Sequence, residues 1–404
     1  MLLLVVVVAW AIAAAVVPPR VDAHFNPYRP SDRKPSEAAE RLHAASRVVD
    51  LHADSLIWGR DLLARNDRGH VDLPRLLEGN VAVQVFSVPT HVPKDRSQWG
   101  TRPDGLDMLT LNAVGQGWPP AAWLWRDSRA IYLARLLDRL ARRSNGGLRV
   151  IRTVEDLDEL LIERESRPEI VGAILALEGI HGLSGDPATV DRFVESGYRI
   201  AGLVHFHDNE VGGSATGMDR GGLTALGREV VETLRGRGVA IDLAHASPQL
   251  IDDILALDVG PLIASHTGVR GTCDRTRNLS DDAVRGIAAS GGVVGIGYWQ
   301  GATCAPGIDG IARAARYVRD LVGVEHVALG SDFDGGVSMT VHTGELALVT
   351  DALLRAGFSE TEVGLIIGEN VLRVLRETLP TRADSRTDRG PGRVERRSDR
   401  AAKR

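Results

Sequence analysis

Short β-branched runs alternate with helical patterns from about residue 46 to residue 380, and this alternation constrains the fold more than any other feature of the chain. Between most of these runs, apolar residues recur at three- and four-residue spacing, which is typical of helices that bury one face. Repeated alternation predicts a parallel sheet with helices outside it. The strand candidates are 48–52, 81–88, 171–177, 200–205, 239–244, 261–265, 292–298 and 326–330.

Eight strand candidates in one chain favour an α/β fold of the closed (β/α)8 TIM-barrel type over an open doubly wound sheet. The open sheet remains an alternative, although no Gly-rich fingerprint follows the first strand. Helical patterns at 345–355 and 360–379 would complete the domain. The stretch 91–127 is rich in Trp and Pro, and we expect it to be an irregular excursion over one face of the barrel, a candidate lid.

The segments outside the barrel differ from it in composition. Residues 2–17 are an unbroken apolar run, too short for a typical membrane span, so 1–23 is predicted to be a signal peptide or an N-terminal anchor. Export to the periplasm, the medium or a membrane surface follows from this prediction. The polar segment 24–45 is predicted as a linker, 46–380 as the barrel domain and the Arg-rich segment 381–404 as a disordered tail.

Charge and cysteine content restrict the partners of the chain. Its formal net charge is −5 and no basic face is visible in its body, so we expect no nucleic-acid partner. The only cysteines are Cys273 and Cys304, too few for a disulfide framework or a four-cysteine zinc site. Sequence alone leaves their pairing open. Oligomeric state is equally open, and both a monomer and a homo-oligomer agree with the sequence.

Polar side chains with metal-binding chemistry follow six of the predicted strands. His52 and Asp54 close the first, Glu178 the third, His205 the fourth, His245 the fifth, His266 the sixth and Asp332 the eighth. Barrel enzymes place their chemistry at the carboxyl ends of the strands, which is where all of these residues fall. The remaining histidines are expected to be structural (His70, His181, His207 and His326) or in loops and on the surface (His24, His43, His91 and His342).

Imidazole and carboxylate together are ligands that suit zinc and related divalent ions. The spacing of His52 and Asp54 places both side chains on one side of an extended strand end. Each residue also has an ordinary structural explanation: a buried core histidine, a helix cap, or a carboxylate paired with an arginine. Several such coincidences on one barrel rim are a weaker explanation than a single metal site.

Lysine usage bears on how two ions would be bridged. Lysine occurs only at positions 34, 94 and 403, so none lies at a predicted strand end. A carbamylated lysine, the bridge of many two-metal barrel hydrolases, is therefore excluded. A carboxylate has to bridge instead, and Glu178 lies at the right strand end.

The motifs reached so far resemble the renal (membrane) dipeptidase family of zinc peptidases, in its bacterial branch. The segments that carry the resemblance are VVDLHADS, GHVDLPRLLEGNVAVQVFSV, ALEGIHGL, GLVHFHDNEVGGSA, GVAIDLAHAS, ASHTGVRGTCDRTRNLSDD and LGSDFDGG. The insert that includes residues 115–120 departs from the mammalian pattern and bears on substrate preference.

The resemblance implies a metal-dependent hydrolase with two zinc ions per chain, one held by His52 and Asp54, the other by His245 and His266, with Glu178 as the bridge. It implies hydrolysis of dipeptides by a metal-bridging hydroxide. Asp332 matches the family's acid/base residue and His205 its substrate-polarising histidine. Arg277 matches its carboxylate-binding arginine, and its neighbour Arg275 is the alternative.

Two other functions remain open at this point. One is another binuclear-metal barrel hydrolase, acting on a lactone, a cyclic amide or a phosphotriester. The other is a zinc-stabilised binding protein at the cell surface. The partners expected are a dipeptide and, through the N-terminus, a membrane.

Overall fold

The computed structural model describes residues 16–305 and 307–387. In that part of the chain nine strands form one parallel sheet, in the order β1-β2-β4-β5-β6-β7-β8-β9, with β3 paired to the start of β4. The strands are β1 (Val48–Ala53), β2 (Val81–Pro89), β3 (Leu148–Val150), β4 (Val171–Glu178), β5 (Tyr198–Gly202), β6 (Ala240–Asp242), β7 (Ile263–Thr267), β8 (Val293–Ile296) and β9 (Val327–Leu329).

Helices follow the strands and cover the sheet. The first, α1, is described over residues 16–25. The others are α2 (Glu37–Ala45), α3 (Leu73–Glu78), α4 (Met108–Gly115), α5 (Pro120–Leu124), α6 (Arg126–Arg143), α7 (Val154–Arg164), α8 (Thr189–Glu195), α9 (Ala225–Gly236), α10 (Pro248–Leu255), α11 (Asp281–Ala289), α12 (Gln300–Thr303), α13 (Ile308–Val322), α14 (Ala347–Arg355), α15 (Glu360–Gly364), α16 (Asn370–Thr378) and α17 (Arg382–Thr387). A π-helical turn, Leu365–Glu369, joins α15 to α16.

Polar contacts bring the last strand back to the first. The Asp50 carboxylate in β1 accepts hydrogen bonds from the backbone N–H and the hydroxyl of Ser331, both at 2.7 Å. Beyond the ends of these strands, the N–H of Asp54 donates to the carbonyl of Phe333 at 2.8 Å. These bonds nearly close the sheet into a barrel, and the predicted (β/α)8 TIM-barrel fold is confirmed.

Helix caps and buried side chains explain why the elements form where they do. The Ser247 and Ser280 side chains accept backbone N–H groups at the starts of α10 and α11, which satisfies donors that would otherwise be unpaired. Gly238 and Gly291 adopt positive φ values just after α9 and α11, where the chain turns back to the sheet. One cluster of fully buried apolar side chains includes residues from all the barrel strands, so the strands share a packed core.

The structure differs from the sequence prediction in the connecting segments. The predicted linker 24–45 contains α2, which buries Ala39 and His43. The predicted tail 381–404 begins with α17, and its residues 388–404 lie outside the described part. The excursion 91–127 is not wholly irregular, because it contains α4 and α5.

A buried arginine fixes the excursion to the barrel. Arg129 in α6 is 1% exposed and donates to the Asp107 carboxylate and to the carbonyl of Thr90, both at 2.9 Å. The Asp107 side chain in turn accepts the N–H of Leu109 and caps α4. The excursion is therefore packed on the barrel and forms part of its face.

The predicted signal or anchor segment 1–23 lies largely outside the described residues, which begin at Val16. Within the described residues, every helix is too short or too polar to cross a bilayer. The part of this segment that is described, residues 16–23, is helical and belongs to α1.

Candidate metal centre and substrate cavity

The residues predicted from the strand ends meet at one end of the barrel. His52, Glu178 and His266 lie within β1, β4 and β7, close to or at their carboxyl ends. Asp54, His205, His245 and Asp332 lie in the loops that directly follow β1, β5, β6 and β9. All of these side chains are at most 8% exposed.

Two of these loop residues have a backbone conformation that side chains disfavour. His245 has φ of 66° and Asp332 has φ of 63°, both in the left-handed region. This conformation costs a non-glycine residue about 1–2 kcal/mol, so it persists only where the surroundings impose it. The loops after β6 and β9 are thus shaped to aim these two side chains at the centre.

The Glu178 carboxylate lies at the middle of the group. Its Oε1 atom is 3.1 Å from Nε2 of His245 and 3.4 Å from Nε2 of both His52 and His266. Its Oε2 atom is 3.4 Å from Nε2 of His205. Burial raises the pKa of Glu178 well above its usual range, and the neighbouring Asp54 charge raises it further. An isolated carboxylate would therefore be poorly stabilised here, whereas nearby cations would favour its ionised form.

The ligating atoms of this group lie close enough to share cations. They form three overlapping sets whose nitrogen and oxygen atoms lie within 4.8 Å of one another: His52 with Asp54 and Glu178, Glu178 with His205 and His245, and His52 with His266 and Asp332. Among the described residues, Nε2 of His52, Oδ1 of Asp54 and Oε2 of Glu178 have no hydrogen-bond partner although they are buried. Buried polar atoms are rarely left unpaired. The orphaned atoms and the mixed nitrogen and oxygen donors fit divalent metal ions such as zinc.

A serine and an aspartate behind the site orient two of the imidazoles. The Ser265 hydroxyl donates to the Asp242 carboxylate at 2.5 Å, so its oxygen is left to accept. Nδ1 of His266 lies 2.9 Å from this oxygen, and Nδ1 of His52 lies 3.3 Å from it. Protonation at Nδ1 leaves Nε2 of each ring unprotonated, and both Nε2 atoms lie 3.4 Å from Oε1 of Glu178. Nη2 of Arg277 also lies 3.1 Å from Nε2 of His266. Neither Ser265 nor Asp242 was predicted from the sequence, although Asp242 lies in the same strand-end motif as His245.

Asp332 is, like Glu178, a buried carboxylate with a raised pKa. Burial raises this pKa to about 7, with the Asp54 charge adding to the effect and the His52 charge opposing it. A carboxyl group with a pKa near neutrality both accepts and returns protons readily.

The loop after β7 carries Arg277 to the same cavity. Its guanidinium Nη2 donates to the backbone carbonyl of His266 at 2.8 Å, while its buried Nε has no partner among the described residues. A disulfide joins Cys273 in this loop to Cys304 after α12, and thereby settles the pairing that the sequence left open. The Asn278 side chain adds a second link, because it donates to the carbonyls of Cys273 and Ala302 at 2.7 and 3.1 Å.

These residues line a cavity of about 380 Å³ that opens on the barrel face. Its polar lining includes Asp54, Glu178, His205, His245, His266, Arg277 and Asp332. The excursion supplies Arg96, whose guanidinium lies 4.9 Å from the ring centre of Phe206. Arg96 was not predicted, since nothing in a loop sequence indicates which side chain turns inward.

Three of the histidines expected in loops or on the surface are buried: His43, which lies in α2, His91 and His342 are 5%, 1% and 9% exposed. Nδ1 of His91 lies 2.5 Å from Nε2 of His207. His91 begins the excursion after β2, and the packing of that segment on the barrel explains its burial.

Comparison with known proteins identifies the family. The family model described as membrane dipeptidase (peptidase family M19) matches residues 36–389. The chain belongs to the membrane dipeptidase family. The resemblance inferred from the sequence motifs is confirmed.

Named dipeptidases and solved metallo peptidases are similar to large parts of this chain. Dipeptidase verJ of Clonostachys rogersoniana is 30% identical over 248 residues, which are 59% of this chain and 62% of that protein. The chain thus matches less than two thirds of that relative's length. A crystal structure of dipeptidase AC, a metallo peptidase of family M19, superposes with a TM-score of 0.69 at 25% identity, covering 83% of this chain and 99% of the other.

A metallo peptidase from Rhodobacter sphaeroides, solved with a phosphinate mimic of the dipeptide L-Ala-D-Ala, has the same TM-score of 0.69. Its identity is 24%, and the match covers 82% of this chain and 99% of that one. At this identity the likeness concerns the fold.

Proposed function

We propose that this chain is a zinc-dependent dipeptidase that holds two metal ions through His52, Asp54, Glu178, His245 and His266. One observation carries the proposal: a buried carboxylate, Glu178, lies within 3.4 Å of the ring nitrogens of His52, His245 and His266 at the carboxyl end of a barrel. Membership of the membrane dipeptidase family supports the reaction type.

The donor set divides into two halves around Glu178. His52 and Asp54 would hold one ion, His245 and His266 the other, and the two oxygens of Glu178 would be shared. When bound, such ions supply Lewis acidity and lower the pKa of a water molecule toward about 7.

The remaining polar residues position the substrate and move protons. Asp332 accepts the proton of the attacking water through its carboxylate and returns it to the leaving amine, first as a base and then as an acid. His205, whose pKa burial lowers well below its usual value, is a neutral imidazole that donates an N–H to the carbonyl oxygen. Removal of such a donor typically costs about 3 kcal/mol of transition-state stabilisation.

Arg277 recognises the end of the substrate. Its guanidinium binds the terminal carboxylate of a short peptide, for which its planar pair of N–H groups is suited. Fixed at one residue's distance from the scissile bond, this cation restricts the enzyme to dipeptides. The dipeptide mimic bound by the Rhodobacter sphaeroides metallo peptidase agrees with a substrate of that size.

The competing functions make different demands on the site. A barrel hydrolase acting on lactones, cyclic amides or phosphotriesters has no use for a carboxylate-binding arginine. A zinc-stabilised binding protein has no use for a proton-transferring Asp332. The deciding experiment measures hydrolysis of a dipeptide panel, a lactone and a phosphotriester by enzyme as purified, after chelation and after zinc is restored. We expect dipeptide hydrolysis that chelation abolishes and zinc restores, and hydrolysis of the other substrates alone would overturn the proposal.

Export is a separate part of the proposal and is supported by the apolar run 2–17. We expect fractionation of the producing cell to recover the activity outside the cytoplasm or on a membrane. Recovery in the cytosol with Met1 intact would contradict it.

A further inference from the structure

The lining of the substrate cavity combines two kinds of side chain. The carboxylates, the imidazoles and Arg277 are polar. Val21 and Phe25 of α1, Trp58 in the turn after β1 and Leu109 of α4 add apolar surface. Apolar surface beside a polar reaction centre is suited to an apolar side chain of the substrate.

Helix α1 is held in this wall by a buried ion-pair network. The Asp22 carboxylate is fully buried, and its Oδ2 atom lies 3.2 Å from Nε of Arg60 and 3.1 Å from Nε of Arg68. Nη2 of Arg60 also lies 2.5 Å from Oδ2 of Asp334, two positions beyond Asp332. Since buried charges require partners, this network ties α1 to the loop that carries the acid/base residue.

Aromatic contacts continue from α1 into the barrel. The Phe25 ring stacks on Trp58 with 6.4 Å between ring centres. The indole N–H of Trp58 donates to the carbonyl of Asp334 at 2.6 Å. The apolar wall is therefore fixed to the same loop as the network of Asp22.

The strand order places Arg277 and Trp58 on different sides of the mouth of the barrel. Arg277 follows β7, whereas Trp58 follows β1, and both β8 and β9 lie between them along the shorter arc of the sheet. A dipeptide that binds Arg277 through its carboxylate, with its amide at the metal centre, extends its amino-terminal residue away from Arg277. That residue then faces the wall formed by Phe25 and Trp58.

We propose that α1 forms the specificity wall for the amino-terminal residue and that the enzyme prefers dipeptides with a large apolar side chain there. This inference rests on the proposed dipeptidase function. It also requires that Val21 and Asp22 remain in the mature protein, so the sequence Val21-Asp22-Ala23 is not the end of a removed leader.

Arg96 favours a different preference, for an acidic side chain at the amino-terminal position. It is the guanidinium of the excursion that lines the cavity, and an acidic side chain at the amino-terminal position would be drawn to it. Its position over the Phe206 ring already gives this cation a favourable partner. We therefore favour the apolar preference and include the acidic one in the test.

The test measures kcat/KM for Phe-Ala, Leu-Ala, Gly-Ala and Glu-Ala with the full-length chain and with Phe25→Ala and Val21→Ala. We expect wild type to favour Phe-Ala over Gly-Ala roughly tenfold or more, because each methylene in an apolar pocket contributes measurably to discrimination. Phe25→Ala should reduce that ratio about fivefold or more and Val21→Ala less, in proportion to the apolar surface removed. Arg20→Ala, an exposed position on the same helix, is the matched control and should leave the ratio unchanged.

Several outcomes would overturn the inference while leaving the dipeptidase function intact. A wild-type ratio near one, a preference for Glu-Ala, or an equal loss on Phe-Ala and Gly-Ala in Phe25→Ala would each do so. N-terminal sequencing of the active enzyme that begins after Ala23 would also do so. Failure to cleave any dipeptide would instead overturn the proposed function, and the thermal unfolding of each variant checks that α1 still packs on the barrel.

Discussion

Among the described residues, the oxygens of Glu178 face the ring nitrogens of four histidines, all within 3.4 Å. A carboxylate carries a full negative charge that it divides between two oxygens, so it can neutralise part of two cations at once. An amide of the same shape has one acceptor oxygen and two donor hydrogens. The charge of Glu178, rather than its shape, is therefore what the site requires.

Glu178→Gln should lose at least one metal ion and nearly all turnover while the protein remains folded. The neutral amide cannot bridge two cations. Its NH₂ group would also donate to a histidine nitrogen that the metal ion needs as a ligand. Elemental analysis and dipeptide hydrolysis measure the two effects, with Glu195→Gln on the exposed side of α8 as the control. A variant that keeps two tightly bound ions and a near-normal rate would contradict the shared-carboxylate arrangement.

Asp332→Asn should keep both metal ions and lower kcat by roughly 10²–10⁴-fold, the usual contribution of a proton-transfer group. Asparagine tolerates the left-handed backbone that Asp332 adopts, so the substitution removes the titrating group with little strain. Steady-state kinetics decides the role of the residue: a raised KM with an unchanged kcat would make Asp332 a binding residue.

At the scale of elements, the loop after β7 is the part of the site that depends most on contacts with neighbouring segments. Arg277 is held from below by the carbonyl of His266, and the loop is joined to the segment after β8 through Cys273–Cys304 and Asn278. A cation fixed in this way acts at a set distance from the reacting centre. A mobile arginine would bind carboxylates without selecting peptides by their length.

Arg277→Met should lower kcat/KM for free dipeptides roughly ten- to hundredfold, because a charged hydrogen-bonded pair contributes about 1.5–3 kcal/mol. The loss should be much smaller for C-terminally amidated dipeptides, which lack the carboxylate. Arg275→Met removes an exposed arginine from the same loop and is the matched control. An equal loss of Arg277→Met activity on both substrates would assign the residue a structural role.

The strands and their ends were predictable because buried parallel strands are continuous β-branched runs, and because the carboxyl edge gathers whatever follows them. Glu178 and His266 are examples: each closes an apolar run. The short strand β3 was missed because three residues, Leu148–Val150, carry no distinguishable period. Helix α2 was missed because its exposed face is polar and only Ala39 and His43 are buried.

Parts of the site that depend on tertiary contacts were beyond the sequence. Ser265 is an ordinary strand residue until the fold brings Asp242 and two imidazoles to its hydroxyl. Phe25 and Val21 lie in segments that composition assigns to a leader or a linker, and their position depends on the pairing of Asp22 with Arg60 and Arg68. Such residues are selected by partners that are distant in the chain, which local patterns do not encode.

For the whole molecule, closure of the barrel and assembly of the metal site use different atoms. At the seam between β9 and β1, the Asp50 carboxylate accepts hydrogen bonds of 2.7–2.8 Å from Ser331 and from Gln84 of β2, and Asp54 takes part through its backbone N–H. Removing the metal should therefore leave the sheet intact. It should also leave the carboxylates of Asp54, Glu178 and Asp332 close together and buried, and this raises the free energy of the folded state.

Metal removal should therefore lower the melting temperature without changing the far-UV circular dichroism, and the loss should depend on pH. In the metal-free protein, burial raises the pKa of Glu178 well above its usual range. The pKa of His52 is raised to about 10, because the charges of Glu178 and Asp54 outweigh the opposing effect of burial. Glu178 and His52 therefore hold a proton between them, and metal binding must release it, so affinity must rise with pH from neutrality toward about 10. Free zinc at about a thousand times its dissociation constant contributes about 4 kcal/mol of stability.

Calorimetric titration of metal-free protein with zinc, in two buffers of different ionisation enthalpy, counts the protons directly. We expect proton release at neutral pH and a larger zinc-dependent rise in melting temperature at about pH 8 than at about pH 6, with both effects diminished in Glu178→Gln. Zinc binding that releases no protons would contradict the ligand set.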